Sequence, residues 1–171
     1  MPPLHDPSRF PFVTALEAAF PQVRAELDRL PTDAFAPSPD SLTQVADGYD
    51  ETGWLWYALV DDTGPNAAHA AQCPATLQAL RAVPGLVNAG FSLFRPGTHL
   101  YPHQGERAGV LRCHLALRVP VGDVALRIGA DVVPWQPGRC LVFDDTHLHD
   151  AWNHGLGDRV VLLVTFRTPS A

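Results

Sequence analysis

The sequence predicts a mainly β protein: a double-stranded β-helix, or jelly roll, with N-terminal helices bracing one of its sheets. Three observations predict it. From Val87 onward, short runs of β-forming residues recur between Gly, Pro and Asp turn signals. Several of these runs alternate, so that Leu111, Cys113 and Leu115 share one face and Arg112 and His114 the other, which implies a cavity with polar lining. Helical spacing is confined to the first half of the chain, and helices preceding many short strands favour a double sheet over an α/β fold. At 171 residues the chain suits one domain, 1–171, with a helical and irregular part, 1–86, and a jelly-roll core, 87–169.

In chain order, Thr14 with Glu17 forms a capping-box signal. Leu16, Phe20, Val23, Leu27 and Leu30 keep a helical spacing that Pro21 interrupts, predicting one kinked helix or two short ones. Residues 31–51, rich in Pro, Asp and Ser, are predicted as an irregular connector, Trp54 to Val60 as a short strand and Ala75 to Val83 as a short helix. The β-type runs are 87–94, 98–102, 110–119, 123–128, 131–135, 139–143 and 157–167. Trp135-Gln136-Pro137-Gly138 joins two of them as a hairpin turn, because Pro presets φ and Gly accepts positive φ.

Composition excludes several functions. A formal charge of −6 argues against nucleic acid as a partner, whose affinity rests on clustered cations. All 12 basic residues are Arg, so Schiff-base chemistry and a P-loop lysine are absent. No apolar run approaches the roughly 20 residues of a membrane span, and Met1 to Phe10 lacks a signal-peptide pattern, so a cytoplasmic location without membrane contact is expected. Cys73, Cys113 and Cys140 are isolated and odd in number, which fits reduced, buried thiols.

The chemistry concentrates in the β region, where six of the eight histidines stand at positions 99, 103, 114, 147, 149 and 154. A lone strand histidine is usually a satisfied core or surface residue, so clustering alone assigns nothing. Context does more. His103 follows one predicted strand, in Tyr101-Pro102-His103-Gln104-Gly105, and His149 follows another, beyond Phe143-Asp144-Asp145. Arg159 opens the last apolar run, where a guanidinium could reach inward and grip a carboxylate bidentately. Two histidines and a later arginine suggest a metal beside a dicarboxylate, the arrangement a non-haem Fe(II) oxygenase needs. Two other readings stay open: a cupin-like metal-binding module or zinc-dependent enzyme using the His147 and His149 pair, and a non-catalytic jelly-roll binding domain.

Phe91-Ser92, Pro96-Gly97-Thr98-His99, Pro102-His103-Gln104-Gly105, Leu111-Arg112-Cys113-His114-Leu115, Phe143-Asp144-Asp145-Thr146 and His149-Asp150-Ala151-Trp152-Asn153 together resemble the aspartyl/asparaginyl β-hydroxylase family, over about residues 73 to 169. The resemblance implies a dioxygenase that uses Fe(II), 2-oxoglutarate and O2 to hydroxylate an unactivated C–H bond of an amino-acid-like, peptide or small-molecule substrate. It implies His103 and His149 as iron ligands, Arg159 and Ser92 as the grip on the distal carboxylate of 2-oxoglutarate, and His114 beside the co-substrate. His103, His149 and Arg159 would be the catalytic residues. Arg112 matches a family arginine that contributes to anion binding.

This sequence departs from most related oxygenases at the third ligand position. They carry a third, carboxylate ligand two residues after the first histidine, and here that residue is Gly105, as in members of the resembled family, so water would complete the coordination, with halide at that position, and hence halogenation, the open alternative. Of the neighbouring carboxylates, Glu106 is expected to point elsewhere and Asp145 to orient a ligand. Val110 stands where the animal peptide hydroxylases of the family have a second arginine. Trp135 and Trp152 read as packing residues, His99 and His154 as surface or rim. Substrate identity and oligomeric state are not legible.

Overall fold

The structure, a computed structural model, describes residues 2–41, 45–46, 48–105 and 109–168. Its strands in chain order are β1 (Leu4–His5), β2 (Ala36–Pro37), β3 (Val45–Ala46), β4 (Tyr49–Asp50), β5 (Trp54–Asp61), β6 (Gly64–Pro65), β7 (Leu86–Phe94), β8 (Val110–Arg118), β9 (Val124–Ile128), β10 (Asp131–Pro134), β11 (Cys140–Phe143), β12 (His149–Asn153) and β13 (Arg159–Arg167). The helices are α1 (Pro11–Ala18), α2 (Phe20–Leu27), α3 (Ala67–Gln72) and α4 (Pro74–Leu80). All strand pairs are antiparallel, in a main sheet ordered β1-β11-β8-β13-β7-β5-β2 with β6 beside β5, a minor sheet ordered β10-β9-β12, and the β3-β4 ribbon. This is the double-sheet jelly roll the patterning predicts. The main sheet takes β5 and three shorter strands from before residue 86, so the expected division there does not separate the sheets.

Alternation along the main sheet sorts its side chains into two cores. Phe91 and Leu93 of β7, Cys113 and Leu115 of β8, and Val160, Leu162 and Val164 of β13 pack with Phe12, Leu16, Val23 and Leu27 of the helices. Phe94, Ala116 and Val161 face the other way and meet Leu126, Ile128 and Ala151 of the minor sheet. With one face under helices and the other toward the minor sheet, β13 reads as a nearly continuous apolar run between its terminal arginines. Each such residue taken wholly out of water contributes roughly 1.5–3 kcal/mol.

Several boundaries differ from the sequence reading. The chain forms two short helices, and the first starts three residues before Thr14, at Pro11, whose missing N–H costs nothing in the first helical turn. Thr14 therefore lies inside α1 rather than capping it. The 75–83 helix runs Pro74–Leu80, and α3, which shows no apolar spacing, went unread. The run 98–102 is not a regular strand: it meets its neighbours through single bridges, Asp50–His99, His99–Trp152 and His103–His149. Pro102 cannot donate to a ladder, which accounts for the interruption. His149 opens a strand, β12, instead of following one. No helix among the described residues is long and apolar enough to cross a membrane.

Candidate active site

A cavity of about 440 Å³ lies between the sheets. The main sheet lines it in rows set by register. Asn88, Thr165 and Arg112 face each other across β7, β13 and β8; Leu163 and His114 form a row deeper; Ser92 follows, and Phe94 pairs with Arg159 at the far end. His103 and His149 come from the opposite side, where the 97–103 segment runs beside β12.

His103 and His149 are held as a matched pair. Each donates a backbone hydrogen bond to the other's carbonyl, at 3.0 and 2.9 Å, and their ring centroids lie 4.2 Å apart. The Nδ1 of His103 is 2.8 Å from the Tyr101 carbonyl and that of His149 is 2.8 Å from the His147 carbonyl. A carbonyl only accepts, so each Nδ1 carries the proton and each Nε2 keeps a lone pair, the form in which imidazole binds a metal. Burial, with His103 beside it, lowers the His149 pKa to about 4, which keeps the ring neutral. Among the described residues no third His, Cys, Asp or Glu completes a metal-holding cluster with them.

Arg159 is 1% exposed and has no carboxylate partner among the described residues. Its guanidinium lies 3.5 Å over the Phe94 ring and 4.6 Å from that of Trp135, donates one long bond of 3.4 Å to the Ser92 carbonyl, and leaves Nε unpartnered. Burial alone pulls its pKa down to about 9. The Ser92 hydroxyl accepts from Trp54 Nε1 at 3.1 Å and remains a donor. His114 is buried with an unpartnered Nδ1 between Phe143 and Trp135. Desolvation, then the Arg159 and Arg112 charges, hold it well below the ordinary imidazole range. A buried cation with no carboxylate partner among the described residues, a hydroxyl with its proton still to donate and a neutral histidine with an open Nδ1 form a receptor for an anionic group.

Arg112 is engaged. Its Nε donates to Asp145 at 2.7 Å and its NH1 to Thr165 Oγ1 at 2.6 Å. A Cβ at Gly105 would stand 2.6 Å from the Asp145 carboxyl carbon, so the glycine leaves the space that carboxylate occupies, and Asp145 Oδ1 is buried without a partner. Glu106 lies outside the described residues. His147 sits in the bend before β12 and does not line the cavity; its carbonyl orients His149, while its side chain keeps company with His5 and Asp144. The same-face argument for His147 with His149 fails because residue 147 is not in a strand.

Sequence reasoning missed the aromatic floor. Trp135, read as a packing residue, packs and also lines the cavity against Arg159 and His114, and Trp54 anchors Ser92. Asn153 stands in a motif that gave it no role. It is wholly buried, donates from Nδ2 to the Phe94 and Gly157 carbonyls at 2.8 and 2.9 Å, and accepts from Gly155 N at 3.1 Å.

Comparison with known proteins follows the same line. Residues 17–169 match the family model described as aspartyl/asparaginyl beta-hydroxylase, a longer stretch than the motif-bearing segment from 73, because α2 offers only apolar spacing to recognise. The chain is 38% identical to ornithine lipid ester-linked acyl 2-hydroxylase of Rhizobium tropici, covering 98% of this chain and 61% of that protein. It is 33% identical to human aspartate beta-hydroxylase domain-containing protein 2 over 68% of this chain and 34% of the relative, and 27% identical to human aspartyl/asparaginyl beta-hydroxylase over 76% and 17%. The chain thus spans under two thirds of each relative's length. Among solved structures, a 2OG-Fe(II) oxygenase family oxidoreductase from Burkholderia pseudomallei superposes with TM-score 0.60 at 13% identity, covering 89% of this chain and 79% of that one. A prolyl hydroxylase from Trichoplax adhaerens gives 0.57 at 12% identity, over 88% and 78%. Those two likenesses concern the fold alone. With its family match over most of its length, its jelly roll and the motif residues gathered around one cavity, the chain belongs to the aspartyl/asparaginyl β-hydroxylase family.

Proposed function

We propose that the chain is an Fe(II)- and 2-oxoglutarate-dependent hydroxylase, with His103 and His149 as the metal ligands and Arg159 and Ser92 as the seat of the distal carboxylate of 2-oxoglutarate. One observation carries the reading: a buried guanidinium with no counter-ion among the described residues shares a cavity with two histidines whose Nδ1 atoms are bonded to carbonyls, leaving the Nε2 lone pairs for a metal. The residues fit the group. Two neutral imidazoles suit a divalent transition metal, and an arginine with no acidic partner among the described residues beside a serine hydroxyl suits a carboxylate. When bound, iron with 2-oxoglutarate and O2 supplies the power to oxidise an unactivated C–H bond, with succinate and CO2 as the other products.

The protein's own part is positional. The Tyr101 and His147 carbonyls fix both imidazoles in one tautomer. Phe94 and Trp135 sandwich the guanidinium and keep water from it, which strengthens its hold on an anion. His114 stays neutral and offers a ring nitrogen to the co-substrate. The substrate's reacting group would meet Val110, Leu100, Leu126 and Leu163, with the Arg112 charge already matched by Asp145. Those apolar walls, and the relative named for acting on an ester-linked acyl group, favour a C–H bond of an acyl group over one of an aspartyl residue.

The test is incubation of iron-loaded protein and 2-oxoglutarate with an ester-linked acyl amino lipid or with an aspartyl peptide. The expected result is a lipid product one oxygen atom heavier, with equimolar succinate, and an unchanged peptide. Succinate and product formation that persist in both His103→Ala and His149→Ala would overturn the metal assignment.

A further inference from the structure

The segment that carries His103 and the strand that carries His149 are tied together by a side-chain device on the far face of the minor sheet. Asp150 follows His149 in β12 and points away from the cavity, with 1% of its surface exposed. Its carboxylate accepts three bonds. Arg127, its register partner on β9, donates from Nε at 2.7 Å and from its terminal nitrogen at 2.9 Å, and His99 donates from Nε2 at 2.9 Å. Asp150 therefore links β9, on one side of β12, to the 97–103 segment on the other. The His99 ring is packed as well, 4.6 Å from Tyr49 and 5.4 Å from Trp152. Read from the sequence as a surface or rim residue, His99 is half-buried.

The backbone shows why such a tie is needed. Gly97 N donates to Asn153 O, Asn153 N to Thr98 O and Leu100 N to Ala151 O, all within 2.9 Å. The register then slips by one residue, from His99–Trp152 to His103–His149, because Pro102 has no N–H to give, and beyond that bridge Gly105 N donates to Asp145 O and Gln104 Nε2 to Thr146 O. The two imidazoles thus sit beyond a slip in the pairing. On the near side of that slip a side-chain tie joins His99, four residues before His103, to Asp150, the neighbour of His149; on the other side Gln104 reaches the Thr146 carbonyl.

We infer that Asp150, with His99 and Arg127, is a positioning unit that holds the 97–103 segment against β12 and so fixes the spacing of the two metal-binding histidines. The inference rests on the proposed metal site and adds residues that touch neither metal nor substrate. The unit lies one step beyond the Tyr101 and His147 carbonyls that bond the imidazoles; loss of such direct partners typically changes metal affinity about 10- to 100-fold, which sets the scale expected here.

His99→Phe removes the donor while keeping a ring between Tyr49 and Trp152, and His99→Gln restores an Nε2–H donor. Two readouts are taken on the full chain well below its unfolding temperature. The first, free of metal, is amide exchange at His103 and His149, expected to run on the order of ten-fold faster in His99→Phe and near the wild-type rate in His99→Gln. The second is Mn(II) affinity with the EPR line shape of the bound ion, expected to weaken at least ten-fold and broaden in His99→Phe and to recover in His99→Gln. Unchanged exchange in His99→Phe, or equal loss in both variants, overturns the clamp. A wild type that binds no Mn(II) but shows the exchange effect overturns the metal assignment and leaves the clamp standing.

Discussion

Arg159 is the residue whose surroundings make least sense without a ligand. A buried charge lacking a partner destabilises a fold, so its presence in a core of Phe94 and Trp135 points to an anion that arrives later. Arg159→Met is expected to hold or raise the unfolding temperature of the free protein, and to abolish the rise that the proposed function predicts for the metal-loaded wild type with 2-oxoglutarate. Differential scanning calorimetry of both proteins, with and without 2-oxoglutarate, checks both halves. At Gly105 the direction is opposite: Gly105→Ala drives a methyl into the Asp145 carboxylate, which Arg112 prevents from swinging away, and should cost about 1–3 kcal/mol in urea unfolding. Residues on one strand were legible from alternation, which put Arg112 and His114 inward together. The packing of Asp145 against Gly105 was not, because it brings together two loops 40 positions apart in the chain, and no local pattern encodes that approach.

At the scale of elements, β12 is where sequence and structure diverge most usefully. His149-Asp150-Ala151-Trp152-Asn153 contains charges and an amide and lacks the β-branched run that makes β13 obvious, so its strand state follows from pairing with β9 and not from propensity. The inward and outward directions of His149 and Asp150 become meaningful only once it is a strand. Asn153 closes this element by bonding β7 and the loop that leads to Arg159. Asn153→Ala leaves the Phe94 and Gly157 carbonyls and the Gly155 amide without it, and should destabilise the chain by on the order of 3 kcal/mol in urea unfolding. The shortfall should be matched by faster amide exchange in residues 154–158, with α1 and α2 unaffected. The short helices were legible in their apolar faces and misread at their starts, since Pro11 at the first helical position outranks an internal Thr-x-x-Glu match.

For the whole molecule, the two-layer arrangement buries His114 and His149 in their neutral forms, and that shapes its response to acid. His114 is held well below 6.5, first by desolvation, and His149 at about 4 for the same leading reason. Unfolded, both would titrate near 6.5, so below that pH the unfolded chain binds more protons than the folded one. Stability in metal-chelating buffer is therefore expected to fall as pH drops from about 6.5 toward 4, by at most about 1.4 kcal/mol per pH unit for each histidine, and to be insensitive to these two groups above pH 7. Urea midpoints across that range should show it, with a shallower slope in His114→Phe. Stability that stays level on acidification would mean that the two histidines are not held neutral. The fold class was legible because the strands from residue 86 onward leave a repeated turn signature, whereas the joining of 97–103 to β12 depends on single bridges that alternation does not register.

The central claim is that His103 and His149 hold a metal beside a seat for a keto acid. Anaerobic titration of the Fe(II)-loaded protein with 2-oxoglutarate, followed by visible absorption, addresses it most directly. A weak charge-transfer band that saturates in the wild type and is absent in His103→Ala is the expected result; a folded, iron-loaded wild type that gives no band would contradict it.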